Sequence, residues 1–152
     1  LAHVVGSRGG TLKLDLRPGH IYVTAKEESQ AGRDTVVLKF RGKDMKKMDF
    51  FGTSDPYFKL ERLLPNGTTK LIFESKPISN TLNPDWPALS RQRVADLMTA
   101  DPHEKTLRFH CFDKDMFSSD DMGRFECSFT ELIDAQRNGT CFTLAKPEKP
   151  GK

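Results

Sequence analysis

The sequence predicts an all-β fold, an antiparallel β-sandwich of about eight strands with one or two short helices in its loops. Three observations carry this expectation. Short runs of alternating apolar and polar residues recur from Gly19 onward, turn residues separate them, and only RQRVADLM and TELIDAQRNG show helical spacing. At 152 residues the chain suits one domain with a hydrophobic core. It divides into a leader at residues 1–18 from a preceding domain, a folded unit at 19–146, and a polar tail at 147–152.

In TLKLDL, Leu12, Leu14 and Leu16 alternate in strand fashion before Pro18 and Gly19 stop the run. The stretch reads either as an edge strand or as the end of a preceding domain, and we assign it to the leader. GHIYVTAKEES follows with Ile21 and Val23 on one side. In RDTVVLKF the apolar face is Val36, Leu38 and Phe40. DPYFKLERLL turns Phe58 and Leu60 inward and Tyr57, Lys59 and Glu61 to water. Pro65, Asn66 and Gly67 mark a hairpin turn, after which TKLIFESK returns with Leu71 and Phe73 on one face.

SNTLNPDWPALS holds prolines at 84 and 87, so a strand there is interrupted or lies at an edge. RQRVADLM repeats Val94, Leu97 and Met98 at helical spacing behind Ser90, the expected cap. KTLRFHCF aligns Leu107, Phe109 and Cys111, and GRFECSF aligns Phe125, Cys127 and Phe129. TELIDAQRNG is a short helix ended by Asn138 and Gly139, and CFTLAK is the last strand.

Composition narrows the function. A net charge of +3 with 30% charged residues is no single-sign field of the kind that draws nucleic acid. Three cysteines without CxxC spacing argue against a disulfide framework and a zinc site, and for a reducing, cytoplasmic setting. Cys111 and Cys127 share the parity of core aromatics and read as buried thiols. No histidine pairs with a nucleophile or a ligand set, so the chain is not expected to be an enzyme. No run approaches the roughly 20 apolar residues of a spanning helix. The chain begins at Leu1 and reads as part of a longer protein, the isolated domain being a monomer.

The informative residues are two aspartate clusters at the ends of strand-like runs: Asp49 and Asp55 in KKMDFFGTSDPY, and Asp113, Asp115, Asp120 and Asp121 in CFDKDMFSSDDMG. Crowded carboxylates repel one another, a cost that a bound cation removes. Calcium takes six to eight oxygens at about 2.3–2.6 Å, which calls for acids converging from separate segments. Asp113 and Asp115 supply two from one turn, Asp121 closes the loop, and Asp49 and Asp55 flank an excursion bent at Gly52. Ser118 and the carbonyls of Met48 and Phe117 are neutral candidates. An EF-hand is excluded, because counting from Asp113 puts Ser118 at its glycine position and Arg124 at its bidentate position.

Phe50, Phe51, Met116 and Phe117 lie at the tips of these acidic loops, where wet or metal-bound carboxylates make a core unsuitable and a bilayer interface suitable. Arg62, Lys70 and Lys76 on the hairpin are weaker candidates for anionic headgroups, with Lys43, Lys46 and Lys47 nearer the loops.

GTSDPYFKL, SNTLNPDW and FDKDMFSSDDMGRFE, in that order, resemble a C2 domain, the calcium-dependent phospholipid-binding module, over roughly Gly19 to Lys146. Within that family KKMDFFGTSDPY and TLNPDWP most resemble the second C2 domain of copines, SRGGTLKLDLRPGHIYVTAKEES resembles the end of the first, and C2 topology then makes GHIYVTAKEES the expected edge strand of the folded unit. The resemblance implies an eight-stranded Greek-key sandwich of C2 type. It places the five acidic ligands on Asp49, Asp55, Asp113, Asp115 and Asp121 and the inserting tips on Phe50 and Phe117, with Asp120 an extra acid. Pro87 and RQRVADLM depart from the family's usual apolar strand. The expected function is calcium-dependent targeting of a parent protein to anionic membranes, peripheral at the plasma membrane. The alternative is a protein–protein interaction module in which calcium is structural or absent.

Overall fold

The computed structural model describes residues 12–16, 19–30, 33–47 and 52–145, with side chains at 21–26, 34–47 and 52–145. Two four-stranded antiparallel sheets face each other. The first has the order β1-β2-β3-β6, from β1 (Leu12–Leu16), β2 (Gly19–Gln30), β3 (Arg33–Lys43) and β6 (Gln92–Arg93). The second has the order β5-β4-β7-β8, from β4 (Pro56–Leu63), β5 (Thr69–Glu74), β7 (Leu107–Lys114) and β8 (Ser119–Cys127). One turn of helix, α1 (Val94–Leu97), follows β6, and α2 (Phe129–Asn138) follows β8.

The alternation read from the sequence decides which faces meet. Ile21, Val23, Val36, Leu38, Phe40, Phe58, Leu60, Leu107 and Phe109 are all 1% exposed or less. Aromatic rings form a spine between the sheets: Phe58 stacks on Phe109 at 4.6 Å and Phe109 on Phe125 at 5.1 Å, while Trp86 meets Phe58 edge-on at 5.0 Å. Such pairs add about 0.5–1.5 kcal/mol each beyond their buried area. Trp86 is fully buried and donates its Nε1–H to the Pro56 carbonyl at 3.1 Å, which satisfies its polar atom. Burial pushes the Cys111 and Cys127 thiols well above their ordinary range, so both behave as small apolar groups.

Several elements differ from expectation. Leu12–Leu16 pairs with β2 in continuous register from Leu12↔Val23 to Leu16↔Gly19, so the sheet reaches back into the stretch assigned to the leader. β2 consequently lies between β1 and β3, not at the edge. The described part of CFTLAK, residues 141–145, does not form a strand: it makes single bridges from Phe142 to Ile21 and from Ala145 to Arg124, touching both sheets in turn. Leu71 is 50% exposed, because the register shifts between Leu60 and Glu61 and sets Leu71 opposite the outward Glu61. Tyr57 is covered, stacked on Phe112 at 5.3 Å. Arg93, not Ser90, stands at the N-terminus of α1 and makes no side-chain cap.

SNTLNPDWPALS runs beside β3 as an irregular edge. The Trp86 and Leu89 N–H groups donate to the Phe40 and Leu38 carbonyls, and the Gly42 N–H donates to Pro84, a pattern proline can join only as acceptor. α2 forms as expected. Ser128 and Glu131 make a reciprocal capping box, Gly139 ends the helix at φ 64°, and Phe129, Leu132, Ile133 and Ala135 face inward. It follows the Cys127 end of β8, which leaves the opposite end of the sandwich to the acidic loops.

Candidate metal and membrane site

At that opposite end, three chain segments are hydrogen-bonded together. Pro56 at the start of β4 is in register with Asp113 near the end of β7. The Asp55 N–H donates to Asp113 Oδ1 at 2.7 Å, and the Lys114 N–H returns a bond to the Asp55 carbonyl at 3.0 Å. Asn80, held at φ 64° in the segment after β5, donates its N–H to Asp55 Oδ1 at 2.7 Å. Asp113 and Asp55 are thus fixed by backbone, and the segment around Asn80 braces them.

Asp113 is a strand residue rather than a loop-tip one, and it is fully buried. Its Oδ2 has no hydrogen-bond partner among the described residues. A buried carboxylate oxygen with nothing to accept from is costly, and a cation is the partner that removes the cost. Directly across the ladder from Asp113 is Asp120, and cross-strand partners share a face. Asp115 follows in the turn, where the Ser118 hydroxyl donates to its Oδ2 at 3.3 Å.

Asp121 is turned the other way. A register shift between Cys111 and Phe112 pairs Asp121 with Phe112 on the outer face, with its Oδ2 3.0 Å from His110 Nε2 and its Oδ1 accepting from the Gly123 N–H at 2.7 Å. Gly123, at φ 114°, makes this turn possible: a β-carbon there would lie 2.9 Å from that of Leu144. His110 in turn lies against Phe112, ring centroids 4.1 Å apart.

Among the described residues no three carboxylates, imidazoles or thiols stand close enough to hold one ion together. Met48, Asp49, Phe50 and Phe51 lie outside the described residues. Asp55, Asp113 and Asp115 are brought to one end of the sandwich, with Ser118 beside Asp115, and Asp121 is not on the face of Asp113. Sequence reasoning gave Asp120 no role, because the register shift that sets it, rather than Asp121, across from Asp113 leaves no local signal.

Met116 and Phe117 project from the β7–β8 turn, 86% and 93% exposed. Burying such side chains is worth about 1.5–3 kcal/mol each, so full exposure is a standing cost unless a surface covers them. Of the hairpin cations, Arg62 donates to the Asp96 carbonyl at 2.6 Å and the Met98 carbonyl at 3.4 Å, and so braces α1. Lys70 and Lys76 are exposed. No described helix is long and apolar enough to cross a membrane.

Comparison with known proteins agrees with this architecture. Residues 34–144 match the C2 domain family, and the chain belongs to it. It is 36% identical to Rabphilin-1 of Caenorhabditis elegans over 123 residues, covering 73% of this chain and 11% of the relative. Copine-D of Dictyostelium discoideum is 30% identical over 159 residues, covering 100% of this chain and 28% of the relative. Nicotinic receptor-associated protein 1 of Caenorhabditis elegans is 25% identical over 161 residues, or 97% of this chain and 25% of the relative. The chain therefore spans little more than a quarter of these relatives at most. The solved structure BON1-C2B superposes with a TM-score of 0.67 at 19% identity, covering 82% of this chain and 87% of that one, a likeness of fold.

Proposed function

We propose that the chain is a calcium-dependent phospholipid-binding module that carries a parent protein to anionic membranes. The observation that carries the reading is the Oδ2 of Asp113, buried and without a partner among the described residues at the loop end of the sandwich, with Asp120 across the ladder from it. C2 domains are commonly calcium- and phospholipid-binding modules. In this reading Asp113, Asp55 and Asp115, too far apart as they stand to hold one ion, draw in around it as it binds, with Asp49, whose role rests on sequence, and with Asp120 in the position that sequence gave to Asp121. Bound calcium would offset about five negative charges and offer a cation to lipid phosphates. The chain's own contribution is then Met116 and Phe117, positioned to enter the interface. The module is a membrane adaptor rather than an enzyme, cytoplasmic and peripheral at the plasma membrane once calcium is bound. The match to Copine-D across 100% of this chain supports a copine-like parent, and the placing of this stretch as its second C2 domain rests on the sequence resemblance alone.

A second reading is a protein-docking module in which calcium is structural or absent, favoured by the separation of the described acids. Sedimentation with phosphatidylserine vesicles distinguishes the two. Pelleting that requires millimolar calcium and is reversed by chelator supports the first. Equal pelleting with and without calcium, or none in either case, removes it.

A further inference from the structure

The tripeptide Asn-Gly-Thr occurs twice, at 66–68 and at 138–140, and the proposed function uses neither copy. Both asparagines are exposed, Asn66 in the turn between β4 and β5 and Asn138 at the last position of α2. An Asn-Gly bond is open to attack by the glycine nitrogen on the asparagine amide carbon, because glycine has no side chain to obstruct the approach. With sequence and exposure alike, the backbone decides which copy reacts. At Asn66 the side chain is folded forward along the chain: its Oδ1 accepts from the Thr68 N–H at 3.0 Å and from the Thr68 hydroxyl at 2.6 Å. The amide carbon is thereby turned toward the Gly67 peptide, and two donors already hold the oxygen on which negative charge develops during attack. One turn bond, from the Gly67 N–H to the Leu64 carbonyl at 2.9 Å, must open to free the nitrogen. At Asn138 the Gly139 and Thr140 N–H groups are both bound to the Ala135 carbonyl. Helical side chains lean toward the N-terminus, which carries the Asn138 amide away from the Gly139 nitrogen.

We propose that Asn66 is a deamidation site, at which the chain converts its own turn to aspartyl and isoaspartyl forms, and that α2 protects Asn138 from the same reaction. Water is the only co-reactant. The Gly67 nitrogen bonds to Asn66 Cγ, the Cγ–Nδ2 bond breaks, and ammonia leaves with the proton shed by Gly67. Water then opens the succinimide so formed. Addition at Cγ leaves aspartate, and addition at the main-chain carbonyl carbon leaves isoaspartate, whose backbone runs through Cγ. The isoaspartyl form lengthens a turn that the Leu64 N–H closes onto the Thr68 carbonyl at 2.9 Å, and so loosens the β4–β5 hairpin. This turn lies at the far end of β4 from Pro56, the residue in register with Asp113, so the acidic loops are untouched. The isoaspartyl product is a substrate for the class of enzymes that methylate isoaspartyl carboxylates.

The test is prolonged incubation of the whole chain at mildly alkaline pH in chelator, with each tripeptide followed by peptide mass spectrometry and by labelling with an isoaspartyl methyltransferase. A parallel incubation in concentrated guanidinium chloride supplies the reference, since unfolding removes what distinguishes the two copies. In the folded chain Asn66 is expected to react at least about tenfold faster than Asn138, and in denaturant the two rates are expected to agree within about twofold. Thr68→Val removes the hydroxyl donor at nearly constant shape, and should slow Asn66 about threefold to tenfold in the folded chain while leaving the denatured rate unchanged. Melting curves check the fold of that variant, and the wild-type comparison of folded with denatured chain stands without it. Rates within about twofold of each other in the folded chain, faster reaction at Asn138, or a folded Thr68→Val chain that reacts as fast as the wild type overturns the proposal.

Discussion

Phe109 and Phe117 belong to the same hairpin and meet opposite fates. Phe109 is 1% exposed between Phe58 and Phe125, while Phe117 is 93% exposed beside Asp115 and Ser118. The chemistry of the residue is identical, so position along the strand decides. In the middle of the sandwich a ring gains neighbours on both faces. At the loop end, carboxylates that must stay wet or metal-bound prevent burial, and the ring is left to a surface outside the molecule. One hairpin thus divides its apolar residues between holding the fold and meeting a partner.

The comparison breaks most sharply at the spine. Phe109→Ala should cost about 3–5 kcal/mol of stability by chemical denaturation, since it removes a fully packed ring, whereas Phe117→Ala should change stability by less than about 0.5 kcal/mol. A cost above about 1 kcal/mol for Phe117→Ala would show that the tip packs against the molecule after all. The same Phe117→Ala substitution should weaken calcium-dependent vesicle binding by about tenfold, toward the lower end of what burying one aromatic supplies.

Asp113→Asn should leave the chelated protein as stable as the wild type, because an amide oxygen still accepts from the Asp55 N–H and the unpartnered charge is gone. It should abolish the response to calcium in the same melting experiment. Asp120→Asn and Asp121→Asn sharpen the picture further. The first should reduce calcium affinity by about tenfold and the second by less than about threefold, with Asp121→Asn acting instead on the contact with His110. The reverse order would return Asp121 to the ligand set. Among the smallest effects, Ser128→Ala should cost about 1 kcal/mol through the lost capping box and leave vesicle binding unchanged.

What the sequence disclosed follows from the range of each signal. Strand alternation is local, so Ile21, Val36, Phe58, Phe109 and Cys127 could be assigned to the core from their neighbours alone. Capping is local as well, and α2 begins and ends where Ser128 and Gly139 direct. Register is not local. The shift at Leu60 and Glu61 turned Leu71 outward, and the shift at Cys111 and Phe112 set Asp120 rather than Asp121 across from Asp113. The same limit applies to CFTLAK, whose pattern is that of a strand but whose path touches each sheet at a single bridge. The contact of the Arg41 guanidinium with the Tyr22 ring was equally hidden, since it exists only once β2 and β3 are aligned.

The most direct measurement is the melting temperature of the whole chain in chelator and at calcium about 100-fold above its dissociation constant. A ligand bound only by the folded state adds about 2.7 kcal/mol under those conditions, or about 5–10 °C for a domain of this size. A rise of that order in the wild type, absent in Asp113→Asn, is the predicted result. Identical melting with and without calcium at millimolar concentration would contradict a cation partner for the buried oxygen of Asp113.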